Sequence, residues 1–309
     1  MTEHQERIVR ALRNAPGFAG VKAKDCTISR LGGLTNLVHR VVSPVGDVIV
    51  RIPGEGTEEY IDRSVEITNA NAAHRAGVSP EVLWADANSG TMVTRTIGGI
   101  TTMTPELFKS RAGSPGRAGE ALARLHNSGE SFDFRFELFS MIDDYLAVLS
   151  KKAAELPDGY HDIVRASEPV KEALAANPVP LAPCHCDPLC ENFLDDGEVM
   201  WIVDWEYSGM NDPLWDVGDL SVEAGMDEAQ ERELLIGYFG REPTAAQLGR
   251  VVIYKAMCDL LWTLWGLIQH ADGNPAEDFW AYATNRFERC KALMQSPAFS
   301  GHVAAVRAG

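Results

Sequence analysis

Long apolar runs are missing from this 309-residue chain. No uninterrupted stretch reaches the roughly eighteen residues that a membrane-crossing helix needs. The opening MTEHQERIVRALRN is polar and amphipathic, which does not read as a secretory signal. Basic charge is scarce too: 28 Lys and Arg face 44 Asp and Glu, a formal net charge of −16. That balance argues against nucleic acid or membrane insertion at an anionic surface, since phosphates call for clustered cations. It is compatible with a cationic substrate. Cysteines are few (Cys26, Cys184, Cys186, Cys190, Cys258 and Cys290) and follow no framework spacing, so reduced thiols in a cytoplasm are expected. Three of them crowd around His185, but a structural zinc site pairs two ligand couples and no second couple is present. Internal repeats and low-complexity tracts are absent.

What is present is concentrated between His185 and Trp205, HCDPLCENFLDDGEVMWIVDW. The pattern is His185-x-Asp187-x4-Asn192, followed by Asp204 at the end of an apolar run. One carboxylate can orient and deprotonate a hydroxyl, while an Asn oxygen and a second carboxylate hold a divalent metal. These are parts of a phosphoryl-transfer site, where catalysis is mostly positioning and charge neutralisation. His185 reads as a packing or backbone-orienting residue and Asp187 as the base. Asp216 reads as a loop brace whose carboxylate accepts backbone N–H groups.

The rest of the chain divides into a strand-rich first third and a helical remainder. A helix is expected over 3–14, a glycine turn and two strands between Ile28 and Ile52, a helix over Tyr60–Ala76 ended by Gly77, and strands at Glu81–Ala85 and Thr91–Ile97. Beyond residue 100 the periodicity predicts helices at 105–109, 116–127, 138–155, 161–176, 227–239, 245–270 and 277–294, with SRAGSPGR at 110–117 as a flexible loop. The fold class is therefore α+β, with a small β-rich N-lobe over 1–97, a larger mainly helical C-lobe over 98–309, and the chemistry at the seam.

A glycine turn between strands lets backbone N–H groups approach phosphate oxygens. Beyond Gly32 and Gly33, Arg51 ends the second strand and Glu66 lies in the next helix, an order that suits a charge clamp on phosphates. Singly, Arg51 reads as a surface strand residue and Glu66 as a solvated helix face; together with the downstream motif the clamp is favoured. With GGLTN at 32–36, VIVRIPG at 48–54, HCDPLCENF at 185–193 and IVDWEYSGMNDPLWDVGDL at 202–220, nearly the whole chain resembles the protein-kinase-like fold. Within it, the likeness is closer to the small-molecule branch of choline/ethanolamine and aminoglycoside kinases. The resemblance implies that Asp187 is the catalytic base and that Asn192 and Asp204 bind Mg²⁺. It also implies that ATP lies against Gly32, Gly33, Thr35, Asn36, Arg51 and Glu66, with its adenine at the linker from Thr94 through Ile97 to Gly98. An Arg stands where protein kinases have Lys, and no DFG follows Asp204; Arg forks onto two oxygens and cannot deprotonate, so the change is chemically tolerable.

The acceptor clue lies in LWTLWGLI at 261–268. Trp262 and Trp265 share a helix face. Alone they read as core tryptophans, but Trp262 adjoins a polar sector made by Lys255 and Asp259, and Tyr282 follows on the next helix. Quaternary ammonium ions cannot donate N–H bonds, so aromatic faces grip them. The resemblance implies a cage of Trp262, Trp265 and Tyr282, with Tyr207 as a further wall and Glu223 as counter-charge. The expectation is thus ATP- and Mg²⁺-dependent phosphorylation of a cationic amino-alcohol, choline to phosphocholine, by a monomer or homodimer. Ethanolamine, an aminoglycoside, or a silent nucleotide- or choline-binding module are the alternatives. An aminoglycoside would draw on Asp272, Glu277 and Asp278 and leave the tryptophans idle.

Overall fold

The computed structural model describes residues 3–32, 36–54 and 61–309. Helix α1 (Glu3–Asn14) is followed by strands β1 (Thr27–Gly32), β2 (Asn36–Val42) and β3 (Asp47–Pro53), helix α2 (Arg63–Arg75), then β4 (Val82–Asp86) and β5 (Thr91–Arg95). The strands form one antiparallel sheet in the order β1-β2-β3-β5-β4. Because side chains alternate along a strand, β3 turns Val48, Val50 and Ile52 toward a small core shared with Ile8 and Leu12 of α1. Its other face carries Ile49 and Arg51 into the cleft beneath the sheet. Asp62 caps α2, accepting from the N–H groups of Ser64 (2.9 Å) and Val65 (3.2 Å). Gly77, at φ 75°, ends the helix as the sequence predicts.

The second body begins with β6 (Thr101–Thr102), α3 (Pro105–Ser110), α4 (Ser114–His126), α5 (Leu138–Lys151), α6 (Tyr160–Ala166) and α7 (Glu168–Ala176). Short strands follow: β7 (Ala182–Cys184), β8 (Phe193–Asp195), β9 (Met200–Ile202) and β10 (Gly209–Asn211). β7 pairs with β10, and β6, β8 and β9 make a three-stranded sheet. The chain closes with α8 (Leu214–Glu223), α9 (Glu228–Phe239), α10 (Ala245–Ala271), α11 (Phe279–Met294) and α12 (Phe299–Ala308). Helix α10, opened by a Thr244–Gln247 capping box, is long and apolar enough to cross a membrane, yet most of it is buried inside the protein. It packs against α5, α8, α11 and α12, so its apolarity is that of a core helix. The result is an α+β fold with a small β-rich N-lobe and a larger helical C-lobe.

Four expectations change. The segment expected as a flexible loop at 110–117 enters α4 at Ser114, and Gly116 lies in close helix packing: a Cβ on Gly237 of α9 would lie 2.2 Å from the Gly116 carbonyl oxygen, and one on the neighbouring Gly119 would lie 2.2 Å from that of Leu234. The single helix expected over 161–176 is two, broken at Ser167 before Pro169. Helices α8 and α12 were not foreseen; Asp216, the expected loop brace, acts from the first turn of α8. Asp86 and Ser89 brace the turn after β4, where Gly90 takes φ 63°.

Candidate active site

The loop between β7 and β8 carries Asp187, and its shape is imposed from below. Asp216, fully buried, accepts hydrogen bonds from the backbone N–H of His185 (2.7 Å) and Cys186 (2.9 Å) and from His126 Nε2 (2.9 Å). Cys186 sits at φ 67°, a left-handed conformation uncommon outside glycine. The Asp216 bonds and a bond from Trp215 Nε1 to the Cys186 carbonyl (3.0 Å) hold it there. His185 donates through Nε2 to the Val203 carbonyl (2.9 Å) and packs on Trp205 at 4.9 Å between ring centroids. Burial lowers its pKa, so the imidazole is a neutral strut between the two halves of the segment.

Asn192 donates through Nδ2 to the Asp187 carbonyl (3.1 Å), an arrangement that leaves the amide oxygen to other partners. The Val203 N–H bonds the Asn192 carbonyl (3.0 Å), and Asp204 follows at φ 69°. Asn192 and Asp204 both line a cleft of about 330 Å³ between the N-lobe sheet and the β8–β9 region. Burial, then the charges of Glu223, Asp204 and Glu206, raise the Asp187 pKa well above the ordinary carboxylate range. Such a carboxylate is a stronger base than a free one.

Behind Asp204 runs a chain of alternating charges that spans both lobes. Arg51 is ion-paired with Glu66 and, at 3.0 Å, with Asp204. Arg63 pairs with Glu66 at 2.8 Å and Glu206 at 3.2 Å, and Asn36 Nδ2 donates to Glu206 (3.2 Å). Burial works against the Glu66 carboxylate, yet Arg51 and Arg63 hold its pKa below the usual range. Burial and the Asp204 charge push Glu206 up to about 7. Oxygens of Glu66, Asp204 and Glu206 lie within 4.8 Å of one another. Arg51 keeps Nε and Nη2 without a hydrogen-bond partner while lining the cleft, and a planar fork of that kind suits phosphate oxygens.

Of the residues expected to meet a nucleotide, Gly32, Arg51, Glu66, Thr94 and Ile97 line the cleft, whereas Asn36 does not line it and is hydrogen-bonded to Glu206. Gly32 takes φ 152°, which L side chains rarely adopt. Gly33 and Thr35 lie outside the described residues. Val38, Ile49, Val82, Met92 and Leu194 give the cleft its apolar walls.

The aromatic residues expected at the acceptor gather in two pairs. Tyr207 meets Trp262 edge-on at 5.9 Å, and Trp265 meets Tyr282 edge-on at 5.8 Å. Gly266 permits the second pair, since a Cβ there would lie 2.6 Å from the Tyr282 ring. Glu223 is nearby but committed: it is ion-paired with Arg286, whose guanidinium lies 4.7 Å from the Tyr282 ring centroid. Asp259 also pairs with Arg286 (3.2 Å) and with Arg289. Lys255, grouped with Asp259 in the sequence, instead pairs with Glu231. Asp272 pairs with Lys152 and Asp278 caps α11, so those two carboxylates have local partners.

Two residues of this region had no part in the sequence expectation: Asp219 and Arg286. Their signal was helical spacing, since Asp219 precedes Glu223 by four on α8 and Arg286 follows Tyr282 by four on α11, which puts each pair on one face.

Comparison with known proteins agrees with this geometry. Residues 27–247 match the model of a phosphotransferase enzyme family, APH. A choline/ethanolamine kinase family protein from Mesorhizobium loti, known as a crystal structure, is 61% identical, with 98% of this chain and 99% of that one covered and a TM-score of 0.89. The choline kinase LicA from Streptococcus pneumoniae is 26% identical over 87% of this chain and 93% of its own, with a TM-score of 0.73; a LicA structure in complex with AMP superposes with a TM-score of 0.70. Protein LicA of Haemophilus influenzae is 30% identical over 86% of this chain and 79% of its own.

Proposed function

The chain belongs to the choline/ethanolamine kinase family of phosphotransferases, and on that premise we propose that it transfers the γ-phosphoryl group of ATP to the hydroxyl of choline, yielding phosphocholine and ADP. The observation that carries this reading is the position of Asp187. The charges acting on it come from Asp204 and Glu206 at the nucleotide-sized cleft and from Glu223 and Arg286 beside the two aromatic pairs.

ATP fills the cleft beneath the sheet, with its adenine against the segment from Thr94 to Ile97 and its phosphates toward Arg51 Nε and Nη2. Glu66 holds that guanidinium in place. The choline head sits among Tyr207, Trp262, Trp265 and Tyr282, whose faces attract a cation by about 0.5–2 kcal/mol each. Its hydroxyl faces Asp187. As the hydroxyl oxygen bonds to the γ-phosphorus and the bond to ADP breaks, the hydroxyl proton passes to Asp187. Burial and neighbouring acids raise the basicity of this carboxylate, so it accepts that proton more readily.

The donor set fits Mg²⁺, which prefers hard oxygen ligands: the Asn192 amide oxygen and the Asp204 carboxylate would hold it, and Glu206 stands near. When bound, the ion neutralises phosphate charge. Residues 1–97 then serve the nucleotide phosphates, and residues 98–309 supply the catalytic loop, metal ligands and acceptor site. All six cysteines are free thiols, five of them buried, which supports placing the reaction in a reducing cytoplasm.

Coupled ADP release across choline, ethanolamine and kanamycin tests the assignment. Choline is expected to give the highest kcat/KM. Faster turnover of kanamycin than of either amino-alcohol would overturn it.

A further inference from the structure

Within the proposed acceptor site, and resting on that reading, the counter-charge foreseen at Glu223 is already neutralised by Arg286. Asp219, one helical turn earlier on α8, is in a different position. It is 1% exposed. One carboxylate oxygen, Oδ2, accepts from Trp262 Nε1 at 3.1 Å. The other, Oδ1, is buried and has no hydrogen-bond partner. Native proteins seldom leave a buried acceptor unmatched, and such a group calls for a reason.

The surroundings supply one. The indole that fixes Oδ2 is the same Trp262 that meets Tyr207 edge-on, so carboxylate and aromatic wall form one rigid unit. Burial first, and then the charge of Glu223, push the Asp219 carboxyl well above the ordinary carboxylate range, with Arg286 opposing and Asp187 adding to the rise; these are residues of the acceptor site itself, and a cation bound there favours the ionised form. We propose that Asp219 is the carboxylate that receives the acceptor's ammonium group, and that its unmatched oxygen sets how the enzyme ranks amino-alcohols by their number of N–H bonds. A primary ammonium can donate an N–H to Oδ1. A trimethylated one offers only charge and relies on the aromatic faces.

Both alcohols share the aromatic faces and the charge attraction, and ethanolamine adds a hydrogen bond to Oδ1, so removing that acceptor costs ethanolamine more than choline. Asp219→Asn is the discriminating change. The Asn oxygen still accepts from Trp262, while the amide NH₂ replaces the unmatched oxygen and cannot accept an N–H. For this variant, kcat/KM is expected to fall about tenfold for choline, through lost charge, and about a hundredfold for ethanolamine. N,N-dimethylethanolamine, with one N–H, should fall between the two, and the melting temperature should stay at or above that of wild type.

Equal losses for all three alcohols, or no loss, would overturn the proposal, because a purely structural Asp219 would not sort substrates by methylation. Calorimetric titration of wild type and Asp219→Asn with each alcohol separates this inference from the assignment of the reaction. If wild type turns over neither choline nor ethanolamine, the reaction is wrong. Ethanolamine binding that weakens in the variant more than choline binding would still uphold the role of Asp219, and parallel binding would refute it.

Discussion

Replacing Arg51 by Met removes a buried guanidinium while keeping most of its aliphatic volume. Arg51 is 9% exposed and joins Glu66, 1% exposed, to Asp204 across the lobes. Without it, Glu66, Asp204 and Glu206, whose oxygens lie within 4.8 Å of one another, are left with Arg63 as the neighbouring guanidinium among the described residues. Removing one partner of a buried ion pair costs about 3–5 kcal/mol because the other charge is stranded. Arg63 still pairs with Glu66 and Glu206, so the lower end, about 3 kcal/mol, is expected here. At about 2–3 °C per kcal/mol for a chain of this size, the melting temperature should drop by roughly 6–9 °C. Differential scanning calorimetry measures it directly. Added Mg²⁺ should raise the melting temperature of the variant more than that of wild type, since a divalent cation would stabilise the folded carboxylate cluster. A variant melting within about 1 °C of wild type, with no greater response to Mg²⁺, would refute the view that this ionic chain joins the lobes.

Other outcomes follow from the same geometry. Asp216→Ala strands two backbone N–H groups and His126; urea denaturation should show a loss of about 3–5 kcal/mol, and a loss below about 1 kcal/mol would remove Asp216 as the brace of the catalytic loop. Glu206, with its folded-state pKa raised to about 7, costs stability progressively as pH rises from the ordinary carboxylate range to that value. The melting temperature of Glu206→Gln relative to wild type should therefore become more favourable between pH 5 and pH 8, and a difference constant across that range would contradict the shift. Trp262→Ala should lower kcat/KM for choline by roughly five- to thirtyfold, the equivalent of about 1–2 kcal/mol, with the KM for ATP unchanged. Unaltered choline turnover would leave Trp262 as a core residue.

The fold was legible wherever local chemistry and tertiary packing agree. Gly77 marks a helix end by its own chemistry, and the helices expected from residues 227 and 245 open on the capping residues Asp227 and Thr244, while β3 shows its alternation openly. Gly116 misled because a glycine needed for close helix contact and one needed for a flexible turn look alike until the partner helix is known. Helix α8 was hidden beneath the motif it supports: Asp212, Pro213 and Asp216 read as loop chemistry, yet Asp216 braces the catalytic loop from a helix.

The nucleotide side of the site could be anticipated because its motifs are contiguous and its pairings run between neighbouring elements. The acceptor side could not be read as fully. Which of Asp219, Glu223 and Asp259 is already neutralised depends on where Arg286 and Arg289 fall, and those lie 27 or more residues beyond Asp259 on another helix.

The central claim is that Asp187 takes the hydroxyl proton while a phosphoryl group passes from ATP to choline. Phosphorus NMR of wild type and Asp187→Asn with MgATP and choline tests it most directly, with ATP affinity measured alongside. Wild type should convert the γ-phosphate signal into phosphocholine, while Asp187→Asn, binding ATP about as well, should form it at least about a thousandfold more slowly. Phosphocholine formation at the wild-type rate by that variant would contradict the account.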